Sequence, residues 1–136
     1  MMTLGELLGL VVCEIEPYAA NRGVRVEPRA EGFALTAGDP HKLRQALSRL
    51  LHAAIERSNA GTIVQARAAI EAGRAVFVVE DESGLPLPGG HLGVSIARAI
   101  IERQGGSLHM GPAEGLDACA RAELPCLGEG SRWDRP

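Results

Sequence analysis

The chain has 136 residues, 46% of them apolar and 23% charged, with a formal net charge of −3; this balance builds one packed domain and excludes a disordered segment. Only four side chains are aromatic (Tyr18, Phe33, Phe77 and Trp133), too few for a base-stacking platform, and the acidic balance does not neutralise phosphates, so nucleic acid is excluded as a partner. The longest apolar run, 7–13, is too short to span a bilayer and lacks the basic flank of a signal peptide; a cytoplasmic domain with no direct membrane insertion is expected. Cys13, Cys119 and Cys126 are an odd set without CxxC or Cys/His spacing, which predicts thiols rather than a zinc site or a disulfide framework.

Leu4, Leu7, Leu8, Val11, Val12 and Ile15 recur at helical spacing behind Thr3 and Glu6, a capping box that opens an amphipathic helix over 3–20. Asn21-Arg22-Gly23 stops it, and Val24 and Val26 alternate with charged residues as in a half-buried strand; 32–36 is a second short strand. Gly38-Asp39-Pro40 reads as an N-cap followed by a helix-compatible proline. Behind it Leu43, Leu47, Leu50, Leu51, Ala54 and Ile55 form one apolar stripe over 40–57, placing Arg49, His52, Ala53 and Glu56 off its centre, toward a flanking surface or cavity.

Two antiparallel strands, 62–68 and 75–80, follow, joined through 71–74. Asp81 to Pro86 ends the second strand, and Pro86, Pro88, Gly89 and Gly90 predict a loop. Val94, Ile96, Ala97, Ile100 and Ile101 mark a helix over 92–104 that Gly105-Gly106 stops. The last strands are expected at 107–110 and 119–124, so that the domain occupies 1–125 and 126–136 forms a flexible tail.

This order of elements, with four strings in it, resembles the catalytic, ATP-binding (HATPase) domain of bacterial sensor histidine kinases, members of the Bergerat-fold group. TLGELLGLVVCEIEPYAANRGVRV is similar to the family's opening helix and first strand, and GDPHKLRQALSRLLHAAIERS to the helix bearing its N box. VVEDESGLP stands at the G1 box, and GGHLGVSIARAIIERQGGSL at the G2 box. The resemblance covers 3–125 and implies a two-layer α/β sandwich, with three helices on one face of a mixed, mostly antiparallel sheet. Nucleotide would lie between the helices and the loop.

The resemblance also implies roles for individual residues. Asp81 stands where a carboxylate receives the adenine amino group, a task for an acceptor-only side chain. Arg49 and Ala53 stand at the two N-box positions where the family has asparagines, the second of them a Mg²⁺ ligand; alanine has no oxygen for a hard cation. His52 lies between them. Gly84 alone remains of the two G1 glycines. In the G2 box Gly89 and Gly93 flank His91, which replaces the middle glycine of a phosphate-binding turn. Only seven residues, 82–88, separate Asp81 from Gly89, leaving no room for the family's lid.

These departures predict at most weak ATP binding and no Mg²⁺, with no catalytic residue of the chain's own. His41, His52 and His109 lack the H-E-x-x-T/N-P-like string of a phosphoacceptor, so the chain is expected to meet a helical dimerisation and phosphoacceptor domain, and a response regulator, either within a longer, membrane-associated sensor or in trans. Three functions remain open: a pseudokinase or phosphotransfer scaffold, a working ATP-binding kinase domain, and a stand-alone anti-sigma-like switch.

Overall fold

The computed structural model describes residues 2–32, 34–36, 38–83, 85–88, 90–111 and 119–129. Among these the chain runs α1 (Leu4–Asn21), β1 (Arg25–Ala30), β2 (Ala34–Thr36), α2 (Pro40–Glu56), β3 (Ile63–Glu71), β4 (Arg74–Glu80), α3 (Leu92–Arg103), β5 (Ser107–Met110) and β6 (Ala120–Glu129). The local signals act as expected. The Thr3 hydroxyl accepts the Glu6 amide while the Glu6 carboxylate takes the Thr3 amide, a reciprocal cap that stabilises the first turn by about 1 kcal/mol. Asp39 accepts the His41 amide at 2.9 Å, with Pro40 in the first turn behind it.

The sheet order is β1-β3-β4-β6-β2, with β5 also on β6. The β1/β3 pair is parallel and the others are antiparallel. The hairpin between β3 and β4 is tighter than the sequence suggests: Glu71 pairs with Arg74, so the loop is Ala72-Gly73 alone. Both loop residues have positive φ, 53° and 76°, the backbone that matches the twist of two-residue hairpins and that glycine adopts without cost.

Alternation along the strands separates two faces. Val64, Ala66, Ala68, Ala75, Phe77, Val79, Ala120, Ala122 and Leu124 share one core with the buried stripes of α1, α2 and α3. Val76 and Val78 point the other way and form their own small cluster, roofed by ion pairs that run from Arg67 to Glu71, from Glu71 to Arg121 and from Arg121 to Glu123. The architecture is a two-layer α/β sandwich of the Bergerat type, with the helices on one face.

Two expectations need correction. The final strand does not stop at 124: β6 continues to Glu129, and Cys126, Gly128 and Glu129 pair with β2. Pro125 looks like a terminator, yet it falls between the stretch of β6 that pairs with β5 and the stretch that pairs with β2, a place where a residue without an N–H is tolerated. Residues 126–129 of the expected tail are thus strand, and 130–136 lie outside the described residues. Ala53, expected off the apolar stripe, is 3% exposed and belongs to the core, because α2 is covered on a wider arc than its leucines alone define. No helix among the described residues is long and apolar enough to cross a membrane.

Candidate functional site

The end of β4 delivers Asp81 beneath the C-terminus of α2. Its side chain is 2% exposed, and a carboxylate at that depth needs partners for both oxygens. It has them within the chain. Arg57, the residue that ends α2, donates from Nε to Asp81 Oδ2 at 2.7 Å. Ser83 donates to Oδ1 from its amide at 3.0 Å and from its hydroxyl at 2.6 Å. Burial pushes the Asp81 carboxyl up, and the Arg57 and Ser83 hydrogen bonds together with the Arg57 charge outweigh it, holding the group below its ordinary value.

The remaining arms of the Arg57 guanidinium reach the following loop. Nη1 donates to the Pro86 carbonyl at 2.8 Å and Nη2 to the Leu85 carbonyl. With the carbonyls fixed, the next side chain turns inward: Leu87 is 1% exposed, and its amide donates to the Cys119 carbonyl at 3.0 Å. Leu85 and Leu92 stay outside, at 61% and 72% exposure. The apolar residues of the short loop and the start of α3 thus divide, one filling the core and the others facing solvent. The Cys119 thiol, buried beside Asp81, is pushed up to about 11, burial being the main cause.

Arg49, His52, Glu56, His91, Leu92 and Gly93 border a cleft of about 500 Å³ between α2 and the start of α3. Arg49 and His52 are exposed, and the His52 ring stacks on Tyr18 with centroids 4.1 Å apart. His91, read from the sequence as a loop residue, is the N-cap of α3. Its Nδ1 accepts the Gly93 amide at 3.0 Å, and its Nε2 lies 2.9 Å from Glu56 Oε1. The amide accepted at Nδ1 leaves the ring proton on Nε2, where it donates to Glu56. That hydrogen bond is the main reason the Glu56 carboxyl lies below its ordinary value. A Cβ at Gly93 would come within 3.1 Å of the His91 ring, so a larger residue there makes the ring shift.

Of the residues the sequence marks, Asp81 lies at the end of β4, whereas Arg49, His52 and Gly93 line the cleft beside α2 and Ala53 is in the core. Gly84 and Gly89 lie outside the described residues. At positions 49 and 53, where the family resemblance would put the N-box amides, stand a cation and a methyl group, neither of them an oxygen donor for Mg²⁺; the described residues contain no cluster of three metal-ligating His, Cys, Asp or Glu side chains. Sequence reasoning missed Arg57 and Ser83 as members of the site, and it placed Glu56 toward a flanking surface or cavity without its bond to His91. Arg57 carries no periodic signal, because it meets Asp81 only once β4 has been laid beside α2.

Comparison with solved structures places this geometry. The mycobacterial sensor histidine kinase MprB superposes with a TM-score of 0.74 at 17% identity, over 92% of this chain and 97% of that one. The fold is that of a sensor histidine kinase catalytic domain. The cytoplasmic segment of histidine kinase QseC matches with a TM-score of 0.69 at 24% identity, covering 91% of this chain and 74% of that one. A nucleotide-free catalytic domain of histidine kinase ThkA matches at 0.71 and 20%, covering 91% and 94%. No family model and no curated sequence matches the chain. In this kinase fold, Asp81 and the start of α3 both end in contacts made by the chain itself.

Proposed function

We propose that the chain is a histidine-kinase-like domain of two-component signalling that works without nucleotide, as a pseudokinase or phosphotransfer scaffold. The observation that carries this reading is the state of Asp81. A carboxylate meant for an adenine amino group keeps an oxygen open toward the cleft, and here Arg57 and Ser83 occupy both oxygens of a side chain that is 2% exposed. An incoming base would have to reach a nearly inaccessible carboxylate past the Arg57 guanidinium, whose hydrogen bond is charge-assisted and so of the stronger kind. The His91 cap uses the Gly93 amide, one of the first-turn amides of α3 that an anion would otherwise meet.

Signalling then depends on contacts with a helical dimerisation and phosphoacceptor domain and with a response regulator, and no phosphate is moved by this module. A competing reading, weak nucleotide binding through Arg49, is favoured by that exposed cation on the 500 Å³ cleft. Thermal melts separate the two. A ligand at about 100 times its Kd raises stability by about 2.7 kcal/mol, several degrees for a domain of this size. Millimolar ATP, with and without Mg²⁺, is expected to leave the melting temperature unchanged; a rise of several degrees overturns the nucleotide-free reading, and a rise that Arg49→Ala abolishes establishes its competitor.

A further inference from the structure

We infer that Arg57 is the internal ligand of Asp81, a guanidinium latch that orders the loop at 85–88. The inference rests on the nucleotide-free reading above and assigns what takes the ligand's place. Three donors of one planar group serve three acceptors in two segments: Asp81 Oδ2, the Leu85 carbonyl and the Pro86 carbonyl. The carboxylate is buried and cannot be left alone, while the carbonyls belong to a loop without regular structure. Only a fork of N–H groups with fixed geometry meets all three at once; an ammonium is a compact charge without that planar fork.

The latch extends into the core. Fixing the 85 and 86 carbonyls aims Leu87 inward, where it is 1% exposed, and brings its amide to the Cys119 carbonyl; the Cys119 amide in turn donates to the Val79 carbonyl at 3.0 Å. On the other side Ser83 relays the contact, accepting the Leu85 amide at 3.1 Å on the hydroxyl that donates to Asp81. The loop is therefore tied to the end of β4 through the Arg57 side chain and to the residue before β6 through the Leu87 amide. The site beside Asp81 has a defined chemical preference, for a planar guanidinium or amidinium cation.

Hydrogen exchange tests this directly, because the Leu85 and Leu87 amides report the loop and the Phe77 amide in β4 reports the core. In Arg57→Ala, exchange at Leu85 and Leu87 is expected to accelerate at least about tenfold while Phe77 is little changed, as for local opening without global unfolding. Guanidinium chloride at about 20 mM, far below the molar range that unfolds proteins, should slow those amides again, and equal sodium chloride should not. The double variant Arg57→Ala with Asp81→Asn should show no rescue. Arg57→Lys provides a charged variant should the alanine form fail to fold, and it should respond to guanidinium in the same way. Unchanged loop exchange in the variants overturns the latch, and so does rescue that sodium chloride matches or that survives without Asp81. ATP melts of the unaltered protein bear only on the nucleotide-free reading, so the two failures are told apart.

Discussion

His91 and Glu56 join two helices through one ring: Nε2 lies 2.9 Å from Glu56 Oε1 while Nδ1 caps the Gly93 amide. The position that interrupts a glycine-rich turn in the sequence is thereby one that bridges α2 and the start of α3 along the border of their cleft. His91→Ala removes the cap and should cost about 1 kcal/mol of stability, the usual range for losing an N-cap acceptor. Urea unfolding measures it; a midpoint unchanged from the parent would show that the cap carries no weight.

Acid should weaken the fold through Asp81 and Glu71. The Arg121 hydrogen bond lowers Glu71 and the Arg57 and Ser83 contacts lower Asp81, from ordinary values of 4.5 and 3.8. A depressed carboxylate contributes stability that is fully present above its unfolded value and is lost as pH falls through the folded one. Stability should accordingly be flat from neutral pH to about 5 and fall below about 4. Urea midpoints across this range test it, and Arg57→Ala should flatten part of the slope; a midpoint that rises on acidification contradicts the assignment.

What was legible in the sequence follows from where each feature is encoded. Helices and their caps are written locally: Thr3 with Glu6, Asp39 with Pro40, and the leucine stripe of α2 each lie within one or two turns. The order of elements then resembles a known fold, and the sheet agrees with it. The closing contacts are not local. Arg57 and Asp81 are separated by 24 positions and Glu56 and His91 by 35, with no period or spacing to pair them. The end of β6 was obscured for another reason, because Pro125 and the glycines after it carry breaker signals that pairing with β2 overrides.

Leu87 of the short loop and Leu92 at the start of α3 should separate sharply. Leu87 is 1% exposed and Leu92 is 72% exposed. Leu87→Ala leaves a cavity and should cost about 2 to 5 kcal/mol, whereas Leu92→Ala should stay within about 0.5 kcal/mol. Leu92→Glu is therefore the clean probe of partner contact, since it can alter docking without unfolding the domain. Equal destabilisation by the two alanine variants in chemical denaturation would contradict the inward turn of Leu87.

Thiol chemistry should follow burial. Cys13 is exposed and Cys119 is buried, its thiol pushed up to about 11. At pH 8 only about one molecule in a thousand carries the Cys119 thiolate, the reactive form. Alkylation followed by peptide mapping should find Cys13 modified well before Cys119, and Arg57→Ala, by loosening the loop that hydrogen-bonds the Cys119 carbonyl, should narrow the gap. Modification of Cys119 first would contradict its placement.

An amide at position 53, where the family resemblance would put an N-box asparagine, should not create a magnesium site. Ala53 is 3% exposed and packs with the leucines of α2, so Ala53→Asn forces a larger polar group into an apolar setting. A buried amide without partners costs about 1 to 3 kcal/mol by mutational measures, and the extra volume adds strain in a filled core. The variant should melt lower than the parent and show no Mg²⁺-dependent ATP response, because Arg57 still holds Asp81 and His91 still caps α3. Thermal melts of Ala53→Asn with ATP, with and without Mg²⁺, decide it. A stable variant that gains a magnesium-dependent shift would mean that the helix rotates this position into the cleft, and that one side chain is all the site lacks.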